Sequence, residues 1–587
     1  MKRVIRIVNI IMRFSIALAV LTGKPIQTVA AEAGAILSPP ATPSGAGGSG
    51  VVASACGLAS EAGCRILQQG GNAVDAAVAV AFAKAVTYPI AGNLGGGGFI
   101  LIRMANGQTT VIDYRETAPA AATRDMYLDS EGEVIAEAST VGYRASGVPG
   151  TVAGLATAHA RFGWLPWEEV IEPARQLAAD GFAVSAAFVE NLNKKRDLLE
   201  RFPETRRIFL NDGQGYRVGA RFRQPELAAT LARLQRDGWR EFYEGRTARL
   251  IADDMRANGG LITLEDLRHY RAVERVPLRG TYRGYELLTM PPPSSGGTVL
   301  IAMLNMLETV DLGDMQPASP EKYHLLVEVM KRAFADRAAH FGDPDFVNVP
   351  VAYLTDKRYA SSRVRTIDPD HATPSRRIQP GRPLPAEPTE TTHFSVIDAA
   401  GNAVANTYTL NTNFGSGVTV AGAGFLLNNE MDDFTSKAGV PNFFGLIQGE
   451  ANAIEPRKRP LSSMTPTIVL KDGRVVLVLG SPGGPTIINT VLQVIVNVID
   501  HDMELDEAVA APRIHHQWLP DHIRYEPAAL PEEVRHALTG KGHAFAPSPA
   551  RLGDVQAVGL DATTGTWLGV SDPRSADGRA IGEGCGG

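Results

Sequence analysis

The stretch from Thr391 to Thr409 constrains this chain more than any other. Two runs of strand-forming residues, Thr391-Thr392-His393-Phe394-Ser395-Val396-Ile397 and Ala403 to Thr409, flank Asp398-Ala399-Ala400-Gly401-Asn402, which has the composition of a turn. The pattern predicts a β-hairpin. A turn symmetric about Ala400 sets Thr391 opposite Thr409. Just upstream, Gln379 to Glu390 holds four prolines and no apolar periodicity, and so reads as an exposed, unpaired tether. A hydroxyl at the head of a strand, a second one beside it and a tether before it are what a self-cleaving precursor requires. The Glu390–Thr391 bond would be accessible, and Thr391 would become a new N-terminus. A free α-amine titrates near pH ~7.7–8 and can serve as base to its own hydroxyl. On these residues alone, the competing reading is an ordinary Thr-rich hairpin.

The chain has 587 residues, 44% hydrophobic and 20% charged, enough to bury a large core. No linker-like shift in composition precedes the Pro-rich tether, so two processed pieces sharing one core are expected. A net charge of −6 and a pI near 6.1 give no footprint for nucleic acid. Residues 1–31 have the layout of a secretory signal: Lys2, Arg3 and Arg6, then apolar Phe14 to Leu21, then Val29-Ala30-Ala31 as a small-residue cleavage site. Arg13 interrupts that region, and a membrane anchor is the alternative there. Residues 32–50 read as a disordered leader and 378–390 as a flexible tether. No later stretch is long and apolar enough to span a bilayer, so a periplasmic or secreted protein is expected. Three cysteines are too few for a disulfide framework. Cys56 and Cys64, placed on one helix, would lie about 12 Å apart, too far to bridge. All three cysteines, Cys585 included, read as incidental.

Residues 55–86 suggest two packed helices broken at Gly70-Gly71-Asn72. Gly95 to Gly98 precede a strand, Phe99 to Met104, paired with Thr109 to Asp113. The glycine run lacks the strand–loop–helix order and the following Lys-Ser or Lys-Thr of a nucleotide site, so close backbone packing is its better account. Residues 150–260 and 298–341 read as mostly helical, with helices at Thr151 to Phe162 and Leu227 to Asp237. Pro291 to Gly297 reads as a rigid turn opening a helix. Strands at Thr467 to Leu470 and Val475 to Leu479 lead through Gly480-Ser481-Pro482-Gly483-Gly484 into a helix, Ile487 to Ile499. Strands with helices at both ends of the chain suggest an α+β architecture of two sheets between helical layers. Gly483 and Gly484 lie where unpaired backbone N–H groups point outward, as an oxyanion hole needs. His515-His516 has no evident third ligand, and neither a metal nor any other cofactor is expected.

Several long motifs resemble the γ-glutamyltransferase family in order and sequence: Gly70 to Ala76, Gly92 to Phe99, Asp113-Tyr114-Arg115-Glu116, Thr391 to Val396, Tyr408 to Thr412, Leu427 to Phe434 and Arg459 to Met464. The resemblance implies an αββα N-terminal nucleophile hydrolase, made as one chain and processed into a large subunit, 32–390, and a small catalytic subunit, 391–587. It implies a γ-glutamyl ester on Thr391, formed from glutathione or its conjugates and passed to water or to an amino acid or dipeptide. Thr409 matches the residue that hydrogen-bonds the nucleophile, and Gly483 and Gly484 match the oxyanion hole. Arg115, Ser462 and Ser463 match the groups that hold the substrate α-carboxylate. Asp433 matches the partner of the α-ammonium, with Asn411 and Glu430 beside it. Without the family, Arg115 is a surface arginine on a strand, and Asp432-Asp433 is a helix start or loop cap.

Two residues depart from the family pattern. Glu430 stands where many bacterial relatives carry Gln; both accept from an ammonium. Phe444, in a lid loop of roughly residues 438–449, stands where relatives with a lid place a Tyr, so the hydroxyl latch to Asn411 is missing. Two rival functions follow from the same ancestry. One is a cephalosporin or glutaryl amidase, against which the retained Asp433 argues. The other is an inactive periplasmic binding protein, which an intact Glu390–Thr391 bond would favour.

Overall fold

The computed structural model describes residues 44–47, 50–381, 392–437, 440, 443, 445 and 450–582, all within the unit Thr42–Gly587. Among the described residues, fourteen strands build two large sheets. In the first half of the chain these are β1 (Ser44–Gly47), β2 (Gly50–Ser54), β3 (Gly97–Arg103), β4 (Thr109–Asp113), β5 (Val273–Arg275), β6 (Leu278–Tyr282) and β7 (Tyr285–Thr289). Then follow β8 (Thr392–Asp398), β9 (Ala403–Thr409), β10 (Thr467–Lys471), β11 (Arg474–Gly480), β12 (Gln556–Leu560), β13 (Trp567–Ser571) and β14 (Arg579–Gly582). One sheet runs β14-β2-β8-β9-β3-β4-β5 and the other β1-β13-β12-β11-β10-β7-β6, with neighbours antiparallel.

The strand period of two sorts side chains into layers. Phe394, Val396, Val404 and Tyr408 point into the layer of helices Gly57–Gln68 and Ala73–Thr87. Their alternates, Ile397, Ala403 and Ala405, meet Leu288, Met290, Ile468 and Val478 of the other sheet. The outer face of that second sheet, with Leu287, Val469 and Leu477, packs on helices Gly296–Leu307, Pro320–His340 and Thr486–Asp500. The result is the expected αββα sandwich. Because β8 and β9 are buried on both faces, slipping their register by one residue would mismatch both layers.

The hairpin turn fixes that register. Asp398 Oδ1 accepts from the amides of Ala400 and Asn402, each at 3.0 Å, and Gly401 takes φ 85°, a conformation glycine adopts without penalty. Thr392 then pairs with Tyr408 and His393 with Thr407, the symmetry expected about Ala400. Thr391 lies outside the described residues. At the other end of the helical layer, Asn72 caps helix Ala73–Thr87, accepting from Val74 and Asp75 while Asp75 accepts from the Asn72 amide. This reciprocal cap explains why the Gly-Gly-Asn break separates two helices there.

Three expectations are corrected. Ser44–Gly47 falls in the leader expected to be disordered over 32–50, yet it pairs with β13. The open backbone ladder of β13 outweighs the low strand propensity of Ser, Gly and Ala. Within the expected tether, Ile378 is buried and the Gly381 amide donates to Asp336 Oδ1 at 3.0 Å; residues 382–390 lie outside the described residues. Finally, Cys64 is disulfide-bonded, whereas Cys56 is free and buried. Counting sequence spacing within one helix missed that a cysteine's partner can be remote in sequence. With three cysteines in the chain, iodoacetamide should label one thiol in the unfolded, unreduced protein and three after reduction. Intact-mass measurement checks this, and three labels without reductant would refute the bond. Among the described residues, no helix is long and apolar enough to cross a membrane.

Candidate active site

The glycine run before β3 brings that strand against the β8–β9 hairpin. A Cβ on Gly96 would overlap the Thr409 carbonyl, and one on Gly98 would overlap Thr407 and Tyr408. Asn93 completes the join, donating from Nδ2 to the Thr409 carbonyl at 2.7 Å and accepting from the Gly96 amide and the Thr151 hydroxyl. The run is therefore a packing device beside β9, as its sequence suggested.

At the head of the hairpin, Thr392 is buried and its Oγ1 accepts from Lys84 Nζ at 2.6 Å. His393 bridges Thr407 Oγ1 and Ser395 Oγ at 2.8 and 3.0 Å. Burial, then the nearby Lys84 charge, push its pKa well below the usual imidazole value, so it serves as a neutral spacer. Gly480, at the end of β11, sits against that ring, where a Cβ would overlap it. Three residues on, Gly483 and Gly484 take φ 125° and 62° between β11 and helix Thr486–Asp500. Among the described residues neither amide donates a hydrogen bond, as an oxyanion hole requires. Gly483 also lines a cavity of about 350 Å³ with His515, Gln517, His522 and Arg524.

Thr409 Oγ1 accepts from the Asn411 amide at 2.7 Å. Asn411 adopts φ 75°, which Asn tolerates better than most residues, and its Nδ2 donates to the Asn429 carbonyl at 3.0 Å. This turn connects the hairpin to the 3₁₀ turn Glu430–Asp433. Arg115, just past β4, is fully buried, not a surface residue. Its Nη1 meets Glu430 Oε1 and its Nη2 meets Asp433 Oδ2, while Nε and Nη2 donate to the carbonyls of Pro460 and Leu461 at 3.1 and 2.8 Å. The guanidinium is thus fixed between the acidic turn and the segment leading to Ser462. Ser463 Oγ accepts from Arg337 Nη2 at 2.6 Å, and Ser462 Oγ from the Met464 amide at 3.2 Å. The Pro291–Gly297 turn holds this segment, since Ser294 and Ser295 hydroxyls both donate to the Ser462 carbonyl.

The electrostatics of this cluster are unbalanced. Glu116 lies 3.8 Å from the Arg115 guanidinium, so three carboxylates share one cation. Burial, then the Glu430 charge, push the Glu116 carboxyl well above the usual range. Burial also raises Glu430 against the pull of Arg115. Among the described residues both Glu116 oxygens, Glu430 Oε2 and Asn411 Oδ1 accept no hydrogen bond. Buried acceptors without donors are costly, and this set is suited to a cationic N–H donor.

The structure brings Arg115, Glu430 and Asp433 into direct contact, with Asn411 and Thr409 on the adjoining turn. Thr391 and Phe444 lie outside the described residues. Sequence reasoning missed Lys84, Glu116 and Arg337. Glu116 was visible within Asp113-Tyr114-Arg115-Glu116, and Lys84 as a lone charge in an Ala-Val-Phe run; nothing local marks Arg337 among its helical neighbours. His515 and His516 do not converge: His515 bonds Asn489 and Gln517, while His516 faces Asp521 at 3.4 Å.

The sequence profile of the family described as Gamma-glutamyltranspeptidase matches residues 59–582. The chain belongs to the γ-glutamyltranspeptidase family. It is 50% identical over 529 residues to the "Glutathione hydrolase proenzyme" of Escherichia coli (strain K12), covering 90% of this chain and 91% of that one. In structure it is similar to cephalosporin acylase from Bacillus halodurans, with TM-score 0.81 and 25% identity over 95% of this chain and 99% of that one. It is also similar to Helicobacter pylori gamma-glutamyltranspeptidase, with TM-score 0.55 and 42% identity over 61% of this chain and 97% of that one. Membership of the γ-glutamyltranspeptidase family accords with the two antiparallel sheets and their helical covers.

Proposed function

We propose that this γ-glutamyltranspeptidase is an exported precursor that cleaves its own Glu390–Thr391 bond and then uses Thr391 as nucleophile on γ-glutamyl amides such as glutathione. Residues 1–31 direct export to the periplasm or beyond; residues 32–390 and 391–587 become the two subunits. The observation that carries the reading is the buried Arg115–Glu430–Asp433 cluster beside the Glu116, Glu430 Oε2 and Asn411 Oδ1 acceptors described above. An α-amino acid brings both an ammonium for those acceptors and a carboxylate for Arg115, Ser462 and Ser463.

The steps follow. The Thr391 amine takes the proton of its own hydroxyl as the oxygen attacks the γ-carbonyl. Charge develops on the carbonyl oxygen, toward the Gly483 and Gly484 amides; such a donor is worth about 2.7–4 kcal/mol. The ammonium of Thr391 returns the proton to the leaving amine, and the C–N bond breaks to leave a γ-glutamyl ester. Water or an amino acid or dipeptide amine then attacks the ester, with the same amine as base. Thr409, joined to Asn411, orients the nucleophile from the opposite strand. The cavity lined by Gly483 and Arg524 offers room on the leaving-group side.

A purified, processed sample should hydrolyse a γ-glutamyl anilide with kcat/KM at least about a hundredfold above that of the matching glutaryl anilide, the equivalent of one charge-assisted hydrogen bond or more. A preference for the glutaryl substrate would place the chain with the acylases. No turnover of either, with the Glu390–Thr391 bond intact, would support an inactive binding protein.

A further inference from the structure

Lys84 is a charged residue well inside the helix Ala73–Thr87, whose other charged residue, Asp75, serves its N-terminal cap. Helix Ala73–Thr87 is buried along its whole length, and Lys84 is 0% exposed. A buried ammonium is costly unless paired, yet among the described residues Lys84 forms no ion pair, only hydrogen bonds to Thr392 Oγ1 at 2.6 Å and to the His393 carbonyl at 3.3 Å. Its surroundings are the Tyr88 and Phe394 rings, 5.1 and 5.7 Å from Nζ to their centroids. The titratable groups facing it are Cys56 before the first helix, Tyr88 at the end of its own helix, His393 on β8, and Asp554 ahead of β12. Asp554 is itself engaged by Arg551 and Gln556. A cation kept in such a place, hydrogen-bonded to the residue after Thr391, suits a task at Thr391.

We propose that Lys84 is a positioning residue for the reaction: its ammonium pins β8 at Thr392 and, by its charge, favours the neutral, proton-accepting form of the Thr391 amine. The proposal rests on Thr391 being the N-terminal nucleophile. The Thr392 side chain and one peptide unit keep the Thr391 nitrogen within about 10 Å of Lys84 Nζ. At that range one buried charge moves a neighbouring amine by about one pH unit, downward for like charge. Burial, only partly opposed by Cys56 and Asp554, brings Lys84 itself down to about 8. The ammonium is therefore present at neutral pH, where the neutral Thr391 amine is needed, and fades above pH 8.

Three variants separate charge from position. Lys84→Gln keeps a donor for Thr392 without charge, Lys84→Met removes both, and Lys84→Arg keeps the charge. Each is checked for cleavage by N-terminal sequencing at Thr391 and for folding by thermal melting. The acid limb of the kcat/KM profile should move up by about one pH unit in Lys84→Gln and Lys84→Met, with wild-type rates regained above about pH 9. Lys84→Arg should keep the wild-type limb. A uniform loss at every pH with the limb unmoved in Lys84→Gln would overturn the proposal and leave Lys84 as a packing residue. A limb shifted equally in Lys84→Arg would overturn it too. Mass detection of a γ-glutamyl adduct on the 391–587 fragment separates this outcome from failure of the Thr391 reading, which would leave no adduct there in wild type.

Discussion

Thr391→Ala should yield one uncleaved chain with kcat/KM reduced by at least about four orders of magnitude, the scale seen when a covalent nucleophile is removed. Two losses coincide. No hydroxyl attacks the Glu390–Thr391 carbonyl, so no N-terminus forms; and without that N-terminus neither base nor nucleophile exists for the substrate. β8 begins at Thr392, which pairs with Tyr408, and β9 ends at Thr409. The carbonyl of Thr409 is held by Asn93 and its hydroxyl by the Asn411 amide, so the opposing strand is rigid before cleavage. Thr391→Ser retains a hydroxyl and should still cleave, more slowly. Denaturing gels and N-terminal sequencing read the result. A cleaved and active Thr391→Ala protein would remove Thr391 from both roles.

What was legible in the sequence was whatever a local pattern carries. The hairpin, its turn and the alternation of β8 and β9 are local, and their register followed from one Asp-Ala-Ala-Gly-Asn turn. The glycine run was legible because its lack of a nucleotide pattern left close packing as the alternative. Long-range consequences were not legible. Ser44–Gly47 becomes a strand only because β13 presents an open edge, and Cys64 becomes a half-cystine only through the tertiary fold. Arg115 read alone was a surface residue; its burial comes from Glu430, Asp433, Pro460 and Leu461, each more than 300 positions away. Lys84 lies in a run of Ala, Val and Phe, where only the fold shows that its Nζ meets Thr392. Charge bookkeeping at the site also needed coordinates: Glu116 was read as part of a motif, and its crowding by Glu430 emerges from their shared burial.

Asp433→Asn and Arg115→Ala should separate the two ends of the substrate. A hydrogen bond to a charged group is worth about 1.5–3 kcal/mol, and stranding a desolvated charge costs more. Each change should therefore lower kcat/KM for a γ-glutamyl anilide by roughly tenfold to more than a hundredfold. For a glutaryl anilide, which lacks the α-substituents, Asp433→Asn should cost far less or even help. Arg115→Ala should give it no such relief, because Glu116, Glu430 and Asp433 then stay buried without their cation. That last consequence has its own signature in stability. The Glu116 and Glu430 carboxyls already stand above their ordinary values, and losing Arg115 raises them further. A carboxyl raised on folding binds more protons in the native state, so stability is fully present below its unfolded value near ~4.3 and is lost as pH rises toward the folded one. The melting temperature of Arg115→Ala should therefore fall more steeply than that of wild type as pH rises above the ordinary carboxylate range, because both carboxyls are raised on folding. Asp433→Asn, which removes one of three crowded charges, should flatten the same curve. Equal losses on both substrates in Asp433→Asn would show that Asp433 does not hold the ammonium, and the choice between a γ-glutamyl enzyme and a cephalosporin-type acylase would reopen.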